Sequence, residues 1–180
     1  LLSYGVDIHT SVSVSEITPS QVKLSDGTVI GAEMVLLSIG VRPTLQLAKE
    51  TGLTIGESGG LLVNAYLQTS EKDIYAAGDM IEIDHRVNGK KVRIPLAGPA
   101  NRQGRIAAEN VLGGQHAYKG ALGTSVVRVF EAVAGTTGLS LKQARAAGID
   151  ADAVVVHKEH HTSYYPGAET VSVMLVFDRK

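Results

Sequence analysis

The stretch Thr69–Asp79 constrains the fold of this chain most, because a short apolar segment there stops at a Gly-Asp pair. We predict that Ile74–Ala77 forms a strand that ends at Gly78 and Asp79. Small residues at the end of a strand allow a ligand to approach the backbone closely. The carboxylate of Asp79 would then lie at the carboxyl end of the strand, where open α/β sheets bind their ligands, and would accept hydrogen bonds from paired sugar hydroxyls. A buried strand closed by a Gly-Asp turn is the plainer interpretation, and spacing alone leaves both open.

Two further segments flank this motif. Upstream, the apolar run Val35–Val41 is followed by an Arg-Pro pair, and downstream Pro95–Gly114 reads PLAGPANRQGRIAAENVLGG. Thr69–Asp79 resembles the second FAD-binding motif of the pyridine nucleotide-disulfide oxidoreductases, flavoproteins with two dinucleotide-binding domains. The upstream run resembles the strand and turn that leave the NADH domain of that family, and the downstream segment resembles the helix after the flavin motif.

The resemblance implies a mixed α/β fold, with Rossmann-like parts that bind FAD and NAD(P) and an α+β dimerisation domain. It assigns residues 1–44 to the end of the NAD(P)H-binding domain, 45–118 to the second segment of the FAD-binding domain, and 119–180 to the dimerisation domain. The chain has no initiating Met and no Gly-rich phosphate loop in the required register. We therefore expect a piece of a longer protein, with the dimerisation domain truncated.

Five residues are implied by the resemblance as FAD ligands. Thr69, Gly78 and Asp79 come from the motif itself, and Leu96 and Ala97 would act through backbone atoms at the start of the following helix. A helix begins with free N–H groups and a partial positive charge, which would stabilise negative charge at the N1/C2-carbonyl side of a reduced flavin ring. The alternative is an ordinary surface helix.

Two other positions resemble the coenzyme A-disulfide reductase and persulfide reductase branch. Arg102 is the candidate for binding coenzyme A phosphates, because a guanidinium pairs well with phosphate; a solvated helix face shared with Arg105 is the alternative. The YYPGA segment implies that Tyr164 or Tyr165 reaches the active site of a partner subunit and helps position or protonate the thiol. An aromatic pair beside a Pro-Gly turn explains the same residues.

The implied activity is the reduction of coenzyme A disulfide, a persulfide or a related small disulfide by NADH or NADPH. FAD and a cysteine absent from this stretch would carry the electrons. Two alternatives remain open: an NADH oxidase or peroxidase of the same family, and an inactive fragment that acts only as a dimerising module. We expect the 180 residues alone to be inactive.

Composition narrows the function classes. Hydrophobic residues make up 44% and charged residues 19%, which indicates a packed core. A net charge of -1 gives no basic field for nucleic acid or for a membrane surface. The chain has no cysteine, so neither a disulfide nor a thiolate metal site forms within it. These features favour a soluble intracellular protein, which we expect to be cytoplasmic, and the dimerisation domain implied by the resemblance predicts a homodimer.

A metal site is the last function considered. His157, Glu159 and His161 would share one face of a strand, so chelation is geometrically possible. Polar residues that face solvent at the end of an edge strand explain the same pattern, and we predict no metal.

Periodicity and turn residues predict the secondary structure. We predict strands at 6–9, 11–17, 22–24, 28–30, 34–39, 61–63, 125–130, 153–157 and 171–177, and helices at 45–51, after Pro95, and at 139–147. The helix after Pro95 should have Ile106, Ala107 and Val111 among its apolar positions and end at Gly113-Gly114, and Ser140 is the candidate N-cap of the last helix. Turns are predicted at Ser25–Gly27 and at Asn88-Gly89, the second within a polar excursion that runs from Glu82 to Arg93.

Overall fold

The computed structural model describes all 180 residues, which divide into two compact units, Leu1–Val41 and Arg42–Lys180. The first unit begins with a short 3₁₀ helix, Leu2–Tyr4. An antiparallel sheet follows in the order β1 (Val14–Ile17), β2 (Gln21–Leu24) and β3 (Val29–Gly31).

The hairpin between β2 and β3 forms where the sequence predicts it. Gly27 adopts φ 89°, and the Thr28 N–H donates to the Asp26 carboxylate over 2.9 Å. A positive φ is accessible to glycine without steric penalty, so Asp-Gly closes the turn. Alternation along β2 buries Val22 and Leu24, the two core residues of this unit.

Two predicted strands of the first unit are absent. Residues 6–9 form no regular element, and the apolar run 34–39 pairs with no strand of the unit. Met34 and Ile39 are 88% and 90% exposed, although a continuous apolar run is typical of a strand buried on both faces. The prediction fails because a strand needs a neighbouring backbone that supplies hydrogen bonds, and the unit offers none at this position.

The second unit holds seven strands and three helices. Its first half comprises α1 (Gln46–Glu50), β4 (Leu61–Leu62), β5 (Ile81–Asp84), β6 (Lys91–Val92) and α2 (Ala97–Val111). Its second half comprises β7 (Ser125–Val129), β8 (Ala132–Thr136), α3 (Leu141–Ala146), β9 (Ala151–Glu159) and β10 (Thr170–Asp178). β4 and β5 run parallel, β6 pairs antiparallel with β5, and β7–β8 and β9–β10 are separate hairpins. None of the helices is both long and apolar enough to cross a lipid bilayer.

The core of this unit lies around β4 and β5. One apolar cluster joins α1 to β4 through Leu45, Ala48, Leu53 and Leu61. The other contains Val63, Leu67, Ile81 and Ile83, and α2 packs against it. Ile106 and Ala107 supply that helix face, whereas Val111, which the sequence groups with them, is exposed. The core therefore fixes α2 against β5.

Local signals set the helix ends. Ser140 forms a capping box with Gln143, because each side chain bonds the backbone N–H of the other residue. α2 stops before Gly113, which adopts φ 92°. Both boundaries agree with the sequence prediction.

The sequence prediction for residues 119–180, strand-helix-strand-strand, does not include β8 (Ala132–Thr136), which the structure contains. A two-residue loop, Phe130-Glu131, joins β7 to β8, and Phe130 takes φ 52°. Hairpins of this kind normally place Asn or Gly at such a position. Neither residue type is present at 130–131, so no turn signal marks this loop in the sequence.

A charged cluster closes the open end of the β9–β10 hairpin. The Arg179 guanidinium donates to the Asp152 carboxylate over 2.6 Å, and Arg145 approaches the same carboxylate at 4.0 Å. The hydrogen bond from Arg179 lowers the pKa of Asp152 below its ordinary value, with further lowering from the Ala153 N–H.

Candidate functional site

The Gly78–Asp79 turn lies between two extended segments. The Thr69 N–H donates to the Ile74 carbonyl and the Ala76 N–H to the Leu67 carbonyl, both over 2.9 Å. Tyr75 makes a single antiparallel bridge with Gln68, so the predicted strand at 74–77 is reduced to that bridge.

Asp79 therefore lies before a strand and not after one. The regular strand is β5, which begins at Ile81 and pairs in parallel with β4. We predicted that the Asp79 carboxylate lies at the carboxyl end of a strand, and this prediction is wrong. Residues 74–77 form no regular strand, because they pair only with the three residues 67–69. The carboxylate is nevertheless exposed, and Gly78 before it takes φ 87°. Asp79 is thus accessible to a ligand at a sharp turn.

Thr69 has a local structural contact. It is buried, and its hydroxyl both accepts from the Glu71 N–H and donates to the Glu71 carbonyl, each over 3.2 Å. The hydroxyl therefore closes the turn that precedes the Gly-Asp pair.

Gln103 connects this turn to α2. Its Oε1 accepts a hydrogen bond of 2.8 Å from the Gly78 N–H, and the side chain is 2% exposed. Ala100, one helical turn earlier, also lies against Gly78. Gln103 is not recognisable as a site residue from the sequence, because a glutamine beside arginines in a helix gives no signal of a contact 25 residues away.

The amino end of α2 offers free donors. Leu96 is the N-cap without a side-chain cap, and its own N–H donates to the Ile94 carbonyl over 2.9 Å. The N–H groups of Ala97 and Gly98 make no hydrogen bond within the chain. Free N–H groups at a helix start make an anion-binding end. The Ala97 N–H is thus free to donate to a ligand, whereas the Leu96 N–H already bonds the Ile94 carbonyl.

Arg102 and Arg105 are both exposed and make no ion pair. A guanidinium without a carboxylate partner keeps all its donors for an external anion. Neither Arg102 nor Arg105 makes a contact that would distinguish one arginine from the other as the binding residue.

The tyrosine pair lies elsewhere, in the connection between β9 and β10. Tyr164 and Tyr165 are 81% and 62% exposed, and the Tyr165 ring meets His161 edge-on at 5.9 Å between centroids. No hydrogen bond or ring contact joins the pair to the Gly78–Asp79 turn. The site residues of the two halves are not brought together within this chain.

The histidines of that hairpin do not form the predicted strand face. His157 lies within β9, where its Nδ1 is 2.8 Å from the Ser172 hydroxyl, but β9 ends at Glu159. His161 falls beyond the strand, so the alternation argument for chelation does not reach it.

A buried carboxylate lies beside the site, on β5. Glu82 is 1% exposed, and its Oε1 accepts from the Gly60 N–H over 3.1 Å. Arg93 crosses the same loop, where its Nε donates to the Ser58 carbonyl over 2.9 Å. The sequence placed Glu82 in a polar excursion, and that prediction is wrong: the residue anchors the Gly56–Gly60 loop to β5.

Comparison with known proteins identifies the family. Residues 1–104 match the model of the pyridine nucleotide-disulphide oxidoreductases, and the chain belongs to this family. It is 35% identical over 157 residues to a CoA-dependent NAD(P)H sulfur oxidoreductase of Pyrococcus furiosus, covering 87% of the chain and 36% of that protein. It is 34% identical to an NADH oxidase of Enterococcus faecalis, covering 91% of the chain and 35% of the relative.

A solved structure agrees with the same assignment. The NAD-dependent persulfide reductase from A. fulgidus superposes with a TM-score of 0.95 and 32% identity, covering 99% of this chain and 34% of that one. The chain thus spans about a third of the length of the relatives that it matches. The predicted fold class is confirmed, as is the branch of the family.

The cofactors of the family are FAD and a nicotinamide dinucleotide. The residues present fit the flavin cofactor: an exposed carboxylate at Asp79, a glycine turn without a side chain, and uncommitted amides at Ala97 and Gly98. The Asp79 carboxylate can accept hydrogen bonds from hydroxyl groups, and the Ala97 and Gly98 amides can donate to a polar or anionic ring edge.

Proposed function

We propose that the protein containing these 180 residues is an NAD(P)H-dependent reductase of a small disulfide or persulfide of the coenzyme A type. The observation that carries this proposal is the hydrogen bond from Gly78 to Gln103, since it joins the two segments that resemble flavin-binding elements. FAD supplies the redox chemistry when bound. The similarity to a CoA-dependent sulfur oxidoreductase supports the substrate class.

Three groups of this chain hold the cofactor in the proposal. Asp79 accepts hydrogen bonds from hydroxyl groups of the ligand, and Gly78 allows the close approach. The Ala97 N–H at the start of α2 donates to a polar edge and stabilises negative charge there. The Leu96 amide takes no part, because it bonds the Ile94 carbonyl. Thr69 supports the site by closing the preceding turn.

Arg102 binds the phosphates of the substrate in this proposal. It is exposed and has no carboxylate partner, so its guanidinium can form paired hydrogen bonds with a phosphate. Arg105 is an exposed arginine three residues later on the same helix. It provides a matched control for the loss of one positive charge.

Either Tyr164 or Tyr165 acts on the thiol in this proposal, where its phenol positions the thiol or donates a proton to it. Both rings are solvent-exposed at the end of a hairpin, so they can reach a site that this chain does not itself form. We propose that this site belongs to a second copy. The exposed apolar side chains of β9–β10, including Val155, Val156 and Met174, support a dimer through this hairpin.

The test measures NADH-dependent reduction of coenzyme A disulfide by the protein containing this chain, with cystine as a substrate without phosphates. We expect Arg102→Ala to raise the KM for coenzyme A disulfide about tenfold to a hundredfold, the range for a lost charge-assisted hydrogen bond. Arg105→Ala should change it less than threefold. NADH consumption with oxygen but no disulfide turnover would replace the proposal with an oxidase.

Two companion measurements address the tyrosines and the isolated chain. Tyr165→Phe and Tyr164→Phe should differ, with one of them lowering kcat and leaving the FAD spectrum unchanged. The isolated 180 residues contain no cysteine and should not turn over disulfide. Thiol-independent turnover by that polypeptide would contradict the mechanism.

A further inference from the structure

Gln103 itself has no role in the proposed function, although its hydrogen bond to Gly78 joins the two segments that resemble flavin-binding elements. Its side chain is almost fully buried on α2, and its Oε1 accepts the Gly78 N–H over 2.8 Å. Because the backbone N–H can only donate, the orientation of the amide group is fixed: oxygen faces Gly78. The amide nitrogen makes no hydrogen bond within the chain.

The position of Gly78 explains why this contact matters. Gly78 takes φ 87°, and the residue after it is Asp79. The turn receives one further backbone bond, from the Ile81 N–H to the Gly78 carbonyl, at 3.3 Å. The Met80 carbonyl accepts from the Leu61 N–H over 2.8 Å, which ties the far side of the turn to β4, whereas the bond to Gln103 ties Gly78 to α2.

α2 carries the other half of the site. Ala97 lies six residues before Gln103 on the same helix, about 9 Å along its axis at the usual rise per residue. An α-helix is rigid over this distance. A group anchored to Gln103 therefore keeps a fixed position relative to the amides at the start of α2.

We propose that Gln103 is a positioning residue that holds the Asp79 carboxylate at a set distance from the Ala97 amide. The inference rests on the proposed function, because it assumes that one FAD molecule contacts both groups. Preorganisation of this kind lowers the entropy lost when a ligand binds two elements at once. Gln103 touches the turn and acts through it.

The experiment measures FAD binding to the apoprotein of the protein containing this chain, by quenching of flavin fluorescence. Gln103→Met keeps the length of the side chain and removes the acceptor. We expect the dissociation constant for FAD to rise about tenfold to a hundredfold, the range for a lost buried hydrogen bond. Gln103→Glu keeps an acceptor oxygen, so its dissociation constant should lie within about threefold of the wild type.

Asn110 provides a matched control for a purely structural effect. It is also a buried amide on α2, but its Nδ2 donates to the Tyr66 and His116 carbonyls over 2.9 Å, away from Gly78. Asn110→Leu should lower the Tm while leaving the FAD dissociation constant within about threefold. Equal losses of affinity in Asn110→Leu and Gln103→Met would overturn the proposal, and so would unchanged affinity in Gln103→Met.

A substitute variant and the wild-type measurements separate a failure of the positioning role from a failure of the proposed function. If Gln103→Met does not fold, Gln103→Asn keeps the polarity of the buried position but is one methylene too short, and the same loss of affinity is expected. If the wild-type protein binds FAD but reduces no disulfide, the proposed function fails while the positioning role stands on the binding data. A wild-type protein that binds no FAD would overturn both.

Discussion

Gly56→Ala tests the buried carboxylate beside the site. Gly56 lies outside the left-handed region, so alanine fits its backbone and alone would stabilise the fold by about 0.4–1 kcal/mol. The added methyl group would, however, overlap the carboxylate of Glu82, which is buried and held by the Gly60 N–H. Overpacking costs about 1–3 kcal/mol, and a lost hydrogen bond to a charged group about 1.5–3 kcal/mol. We expect a net destabilisation of about 2–5 kcal/mol.

Urea unfolding of the protein containing this chain, followed by circular dichroism, measures this change in the free energy of unfolding. Gly104→Ala is the matched control: its new methyl group meets no atom within 4 Å, and it lies within α2. That variant should be about 0.5–1 kcal/mol more stable. In a Glu82→Ala background the Gly56→Ala penalty should fall below about 1 kcal/mol. Gly56→Ala as stable as Gly104→Ala would refute the reasoning.

Three further predictions concern the second unit. Asn110→Ala removes three hydrogen bonds of a buried amide and should lower the free energy of unfolding by about 2–4 kcal/mol, measured in urea against wild type. Ser140→Ala removes the cap of α3 and should lower it by about 1 kcal/mol, whereas Ser163→Ala, in an exposed turn, should leave it unchanged. Arg179→Gln should raise the pKa of Asp152, measured by NMR titration of its carboxyl carbon. Because the folded-state pKa is lowered, the stabilisation is present above the ordinary value of 3.8 and is lost as the pH falls through the folded value, so wild type and Arg179→Gln should converge in stability at low pH.

Local signals allowed much of the secondary structure to be predicted. The Asp26-Gly27 turn, the Ser140 capping box and the stop of α2 at Gly113 each depend on residues a few positions apart. Such turns and caps form between residues close in the sequence, so the residue types alone identify them without knowledge of the fold. The loop at Phe130 lacks that chemistry, and β8 was missed for this reason.

Burial was harder to predict, because it depends on what lies beside a segment. The apolar run 34–39 has the pattern of a doubly covered strand but is exposed. The burial of Glu82 was mispredicted in the opposite direction. A carboxylate normally faces solvent, but this one is buried under the Gly56–Gly60 loop. The hydrogen-bond partner of Glu82 is the N–H of Gly60, 22 residues away. Because every residue except proline has a backbone N–H, the sequence does not indicate which one binds a given carboxylate.

The candidate site combines both kinds of information. Asp79 and Ala97 were predicted from the resemblance, and the structure leaves the first exposed and the second with a free amide. The contact that relates them, from Gly78 to Gln103, was not predicted, because nothing in either residue specifies the other. In the proposed site, the ligand groups come from motifs that the sequence displays, while a buried side chain outside the Thr69–Asp79 motif sets the distance between them. A substitution at Gln103, but not at the other buried amide of α2, Asn110, should consequently change ligand affinity without touching any ligand group.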